Sequence, residues 1–94
     1  MAPNVFSLSQ NFPNPFNPST TIQYSLVKAG MVSLKVYNVI GQEVATLVNG
    51  LQETGHYTVT FNANEGISSL SNGVYFYRLE AGSFVLVKKL VFMK

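Results

Sequence analysis

The side chains able to do acid–base or metal chemistry are few and scattered in this chain of 94 residues. Four carboxylates, Glu43, Glu53, Glu65 and Glu80, stand apart with no paired spacing, and Asp is absent. A hydrolytic site needs a convergent acid and base, or a nucleophile activated by a neighbour. His56 is the only histidine. Alone it cannot build a multi-histidine metal site, and a Ser–His pair here would lack an Asp to orient it. It reads as an exposed strand residue. Cysteine is absent, which excludes both a disulfide framework and thiolate ligation of a metal. Each glycine stands alone at a predicted turn, so no phosphate-cradling loop is present. The sequence therefore predicts no catalytic residues, no metal site and no cofactor, and the chain does not read as an enzyme.

Composition says the chain folds but says little about partners. Apolar residues make up 47% and charged residues 11%, the latter well below the quarter or so usual in globular domains. So little charge argues against a disordered tail. The formal net charge of +2 comes from Lys28, Lys35, Arg78, Lys88, Lys89 and Lys94 against the four glutamates. A nucleic-acid surface needs a dense basic patch, and only Lys88 and Lys89 are adjacent. No segment approaches the ~20 apolar residues of a membrane span. Met1-Ala2-Pro3-Asn4 lacks the basic start and apolar run of an export signal, so the chain reads as intracellular or as a piece of something larger.

The elements follow from punctuation and alternation. All four prolines fall within the first 18 residues, and all seven glycines come later. Proline fixes φ and has no N–H, so Asn11-Phe12-Pro13-Asn14-Pro15-Phe16-Asn17-Pro18 cannot be a strand interior. It reads as a stiff segment laid over the domain, with Phe12 and Phe16 seeking burial. From Gly30 to Gly82 the glycines recur every 5 to 11 residues, the rhythm of short strands in a sandwich or barrel. Asn49-Gly50 and Asn72-Gly73 read as turn residues. Between the turns the period is two: Ile22, Tyr24 and Leu26 mark one buried face, Val32, Leu34 and Val36 a second, and Tyr57, Val59 and Phe61 a third. Glu43 to Asn49 is less regular, and a helical turn there stays open. With a first strand around Val5 to Gln10, about seven strands result, and the fold class is an all-β antiparallel sandwich.

The last two strands differ. With Ala81-Gly82 as a two-residue turn, Glu80 faces Ser83. Tyr75, Tyr77 and Leu79 then share a face with Phe84 and Leu86. Val74, Phe76, Val85 and Val87 line the other, with Arg78. An ordinary solvent-facing sheet does not need two apolar faces. Either a loop or the proline-rich segment covers the second face, or a partner or an upstream domain does.

Three ordered blocks carry a resemblance. Ser7-Leu8-Ser9-Gln10-Asn11-Phe12-Pro13-Asn14-Pro15-Phe16-Asn17-Pro18-Ser19-Thr20-Thr21-Ile22 resembles the opening motif of type A C-terminal sorting domains of the type IX (Por) secretion system. The likeness continues through Val32-Ser33-Leu34-Lys35-Val36-Tyr37-Asn38-Val39-Ile40-Gly41-Gln42-Glu43-Val44. It ends with Gly73-Val74-Tyr75-Phe76-Tyr77-Arg78-Leu79, Gly82 and Lys88-Lys89-Leu90-Val91. It spans about Phe6 to Lys94. One departure is Ser69-Leu70-Ser71-Asn72, where many relatives carry a proline or small residue.

The resemblance implies an immunoglobulin-like sandwich at the C-terminus of a larger exported protein, with residues 1–94 as one sorting domain and 1–4 as added or linker residues. The partners it implies are the outer-membrane type IX translocon, a sortase-like peptidase that cleaves the domain off, and a covalently linked upstream cargo that carries the export signal. The cargo would pass through the periplasm of a Gram-negative bacterium to be secreted or held at the cell surface. Carried over by position, the recognition candidates are Gly73, Tyr75, Gly82, Lys88 and Lys89. Each also has a plain structural reading: turn glycines, a core tyrosine, and lysines that keep an edge strand from aggregating. The terminal hairpin suits docking by strand addition or by an apolar patch, and weak self-association through it stays open. Two rivals remain, a carbohydrate-binding accessory domain using Tyr37, Phe76 and Phe92 as a platform, and a structural spacer.

Overall fold

Alternation along the chain becomes two antiparallel sheets in the computed structural model, which describes residues 3–64 and 70–94. Glu65, Gly66 and Ser69, singled out in the sequence, lie outside the described residues. The strands are β1 (Ser7–Leu8), β2 (Ser19–Leu26), β3 (Gly30–Tyr37), β4 (Glu43–Gln52), β5 (Gly55–Asn62), β6 (Gly73–Ala81) and β7 (Phe84–Phe92). One sheet has the order β1-β2-β5 and the other β4-β3-β6-β7. The described residues contain no helix, hence none long and apolar enough to cross a membrane. The arrangement is immunoglobulin-like, with β4 paired to β3 where constant-type domains place the fourth strand beside the fifth.

The three alternating faces close the core as expected. Ile22, Tyr24 and Leu26 from one sheet meet Val32, Leu34 and Val36 from the other, and all are buried. Phe61 is buried too, while Tyr57 and Val59 are partly covered. Each such side chain, fully removed from water, contributes about 1.5–3 kcal/mol. Tyr24 stacks on Tyr57 with ring centroids 5.2 Å apart, and its hydroxyl donates to Gln52 Oε1 at 2.6 Å, tying the two sheets together.

Four readings of the strands and turns are corrected or, where left open, decided. The first strand is shorter than Val5–Gln10 and holds only Ser7–Leu8. The region from Glu43 to Asn49 is strand, not a helical turn. Its register against β3 shifts between Leu34 and Lys35 and again between Val36 and Tyr37, which leaves Leu47 and Val44 as extra residues in β4. Such bulges break the period of two, and partly buried residues therefore come in adjacent pairs, Val44-Ala45 and Leu47-Val48. Asn49-Gly50 is not a turn but lies inside β4.

The fourth correction concerns the terminal hairpin. Gly82-Ser83 is the turn, with Ala81 opposite Phe84 and Glu80 opposite Val85. Gly82 has φ +62°, and a two-residue turn with positive φ at its first central position is the type II′ choice, for which glycine is suited. Ala81 at that position would have to adopt a conformation that costs an L-residue about 1–2 kcal/mol. The register moves by an even number of residues, so each side chain keeps its expected face.

Candidate functional site

The motif at the start of the chain and the motif at its end meet in space. The segment after β1 follows the edge of β2, where Phe12 and Thr21 exchange backbone hydrogen bonds at 2.9 Å each way. It then crosses to the edge of β7, where Phe16 forms a parallel bridge with Phe92. Its prolines have no N–H to give the sheet, and side-chain amides act in their place. Gln10 Nε2 donates to the Lys89 carbonyl at 2.7 Å, and Asn14 Oδ1 accepts from Val91 N–H at 3.0 Å. Phe16 N–H donates to the Val91 carbonyl at 3.0 Å, and Met93 N–H donates to the Phe16 carbonyl at 3.1 Å. Lys94 N–H donates to Asn72 Oδ1 at 2.7 Å. From Lys89 onward, β7 is held by β6 on one side and this strap on the other.

The strap is itself pinned by buried polar groups. Asn11 Nδ2 donates to the Pro13 carbonyl at 3.1 Å and to Thr20 Oγ1 at 3.0 Å, while Thr20 Oγ1 donates to the Pro13 carbonyl at 2.8 Å. Tyr77 Oη accepts from Asn11 N–H at 2.8 Å and donates to the Ser9 carbonyl at 2.7 Å. Burial pushes the Tyr77 phenol up to about 12, against the opposing pull of the Asn11 hydrogen bond. Phe16 closes one end of the core at 1% exposure, its ring 5.1 Å from Phe92 and 5.8 Å from Phe61. Phe12, expected to bury, is 78% exposed. Its backbone is committed to β2, and the extended geometry there turns the ring to solvent.

The five candidate residues all fall on or beside the β6–β7 hairpin but do not gather at one point. Gly73 begins β6 with φ +147°, a conformation that favours glycine. Tyr75 is buried and its hydroxyl donates to the Ser71 carbonyl at 2.8 Å, the tyrosine-corner arrangement of immunoglobulin-like domains at the start of the sixth strand. Gly82 makes the turn at the far end, roughly 30 Å from Gly73 at the rise of a strand. Lys88 lies opposite Tyr77 on the core-side face, and Lys89 opposite Phe76 on the outer face. Gln10, Asn14, Thr20 and the Tyr77 hydroxyl carry the strap yet were not singled out from sequence. The one legible signal was Tyr77 itself, since a buried tyrosine hydroxyl requires a partner.

The outer face of β3, β6 and β7 is not covered by the strap. Val74, Phe76, Val85, Val87 and Val91 share it with Arg78, Lys89, Lys35 and Tyr37. Val74, Val85 and Val87 are exposed. Two ion pairs run along this sheet, Lys35–Glu43 at 3.2 Å and Arg78–Glu80 at 3.4 Å. Glu43 is held below the usual carboxylate range, first by the Thr46 hydroxyl and then by Lys35. The Arg78 Nε–H is buried without a partner. Phe92 lies in the core, so it cannot join Tyr37 and Phe76 in a glycan platform. Among the described residues, no cluster of three or more His, Cys, Asp or Glu could hold a metal ion.

Fold and strap together define a small immunoglobulin-like β-sandwich whose two signature segments clip the terminal strand in place. The family model described as the secretion system C-terminal sorting domain matches residues 10–93. The chain belongs to this family, the C-terminal sorting domains of type IX secretion, whose members mark proteins for export to the medium or the cell surface of Gram-negative bacteria. No curated protein and no solved structure matches the chain.

Proposed function

We propose that this domain is the signal by which a covalently attached upstream cargo leaves the periplasm through the type IX translocon, by recognition and not by catalysis. Residues 1–94 act as one sorting domain, with 1–4 as linker, and a sortase-like peptidase separates domain from cargo. The observation that carries the reading is the family match across residues 10–93. The structure adds a physical reason to regard the folded domain, not a linear tail, as the signal. From Lys89 onward the last strand contributes Leu90 and Phe92 to the core and is bound on both sides, so this segment is presented only as part of the sandwich.

Among the candidates, Gly73, Tyr75 and Gly82 also have work to do within the fold, so they act in recognition by setting the shape of the hairpin. Lys89 shares the outer face with the exposed valines and Lys88 lies beside it on the other face of β7, and the two supply the charge that a partner would read. The test is a reporter with a periplasmic export signal, fused to residues 4–94 and expressed in cells with and without a working type IX translocon. Reporter in the medium or on the surface only when both domain and translocon are present supports the proposal. Reporter retained in the periplasm of competent cells, with the domain folded, sinks it.

A further inference from the structure

Phe12 is the aromatic ring that the fold leaves in water. At 78% exposure it forgoes most of the roughly 1.5–3 kcal/mol that burying such a side chain contributes. The bridge to Thr21 fixes where the ring stands. Residues directly opposite one another in an antiparallel pair share a face. Thr20 and Ile22 enter the core, so Thr21 between them points away from it. Phe12 therefore stands on the outer face of the β1-β2-β5 sheet, the sheet remote from the terminal hairpin.

The rest of that face is made of hydroxyls and amides. Thr21 lies opposite Thr60, Gln23 opposite Thr58, and Ser25 opposite His56. Ser9 follows the buried Leu8 and gives its N–H to the Gln23 carbonyl, which extends the middle row. Ser25 is already bonded to Ser7 and to the Val5 carbonyl, and Thr20 on the core side to Asn11 and Pro13. The side chains of Ser9, Thr21, Gln23, Thr58 and Thr60 have no such partner among the described residues. Strands lie about 4.8 Å apart, so the row from Phe12 through Thr21 to Thr60 runs about 10 Å. It ends at β5, the free edge of the sheet. Apart from His56, no residue in these rows is ionisable.

We infer that this face is a binding site for a neutral polysaccharide, with Phe12 as its stacking platform. The face of an aromatic ring is negative and attracts the slightly positive C–H groups of a pyranose. Hydroxyl and amide side chains both give and accept hydrogen bonds, as the sugar hydroxyls require. A face without charge does not suit a phosphate- or carboxylate-bearing chain, which calls for Arg or Lys. One ring among hydroxyls is too little apolar surface for a lipid or a protein patch. Rows that run off the edge of β5 let sugars within a chain lie across them, whereas a chain end would want a concave pocket. Hydrogen bonds here replace bonds to water and add little, so the dissociation constant is on the order of 1 mM. The structure thus moves the aromatic platform from Tyr37, Phe76 and Phe92 to Phe12 on the opposite sheet. The inference stands apart from the sorting role, and its test does not involve secretion.

The test is titration of the chain with cellohexaose, xylohexaose and mannohexaose, all neutral, followed by backbone amide shifts. At least one should move the amides of Phe12, Thr21, Thr58 and Thr60 and leave those of Val85 and Val87, on the other sheet, in place. Phe12→Ala should weaken that binding about tenfold with its melting temperature unchanged. Phe12→Trp, with a larger ring, should strengthen it. Thr58→Val and Thr60→Val, which suit a strand equally well, should weaken it by removing hydroxyls while the ring remains. Polygalacturonate, a chain of sugars that carries carboxylates, should not bind. No shift with any of the neutral oligosaccharides at about 10 mM overturns the inference. So does binding that Phe12→Ala leaves intact, because another surface would then hold the sugar. Equal binding of polygalacturonate overturns it as well, because the face would then not select for neutral chains.

Discussion

Tyr77 is the side chain on which the strap depends most. Its hydroxyl serves one buried donor and one acceptor from the strap, Asn11 N–H and the Ser9 carbonyl. Tyr77→Phe leaves both unpaired and should cost about 1–3 kcal/mol in urea unfolding. The phenol also titrates late. With its folded value raised to about 12 from the usual 10, the stability it contributes is complete below pH 10 and is lost as pH rises towards 12. Tyr24, raised by burial as well, adds to that alkaline loss, so Tyr77→Phe should reduce it without abolishing it. The two phenylalanines of the strap should part company. Phe16→Ala opens the end of the core and should cost about 3–5 kcal/mol. Phe12→Ala, at an exposed site, should stay within about 0.5 kcal/mol. Thermal and urea melts of the pair measure both.

At the scale of elements, the turn and the strap set where β7 sits. Gly82→Ala should lose about 1–2 kcal/mol because alanine resists positive φ, whereas Ser83→Ala should be nearly silent. Equilibrium unfolding of the two variants locates the turn. Asn14→Ala removes the acceptor for Val91 N–H, and amide exchange at Val91 should quicken at least tenfold while β3 amides keep their protection. Alternation made β2, β3 and β5 legible from sequence, because one face of each is buried and the other is not. β4 was obscured by Val44 and Leu47, the extra residues that put buried positions side by side. The hairpin was read with the right faces and the wrong register, since alternation records only parity and Gly82 fits either position of a two-residue turn until its φ is known. The strap's contacts join residues 66 to 79 apart, and such pairings leave no local period. Its motif was visible, but the reason for the motif was not.

At the scale of the molecule, the chain's beginning and end form one unit, so the hairpin has no independent existence. An isolated two-stranded hairpin is marginal in water, and here β6 pairs with β3 while the core side of the hairpin shares one buried cluster with β2, Phe16 and Phe61. The central claim is that the export machinery reads this folded sandwich. Reporter secretion directed by residues 4–94, compared with the hairpin of residues 73–94 alone, tests it most directly. The account predicts export with the full domain and periplasmic retention with the hairpin. Equal export by the two fusions would contradict it, because the signal would then be the terminal sequence and not the fold that holds it.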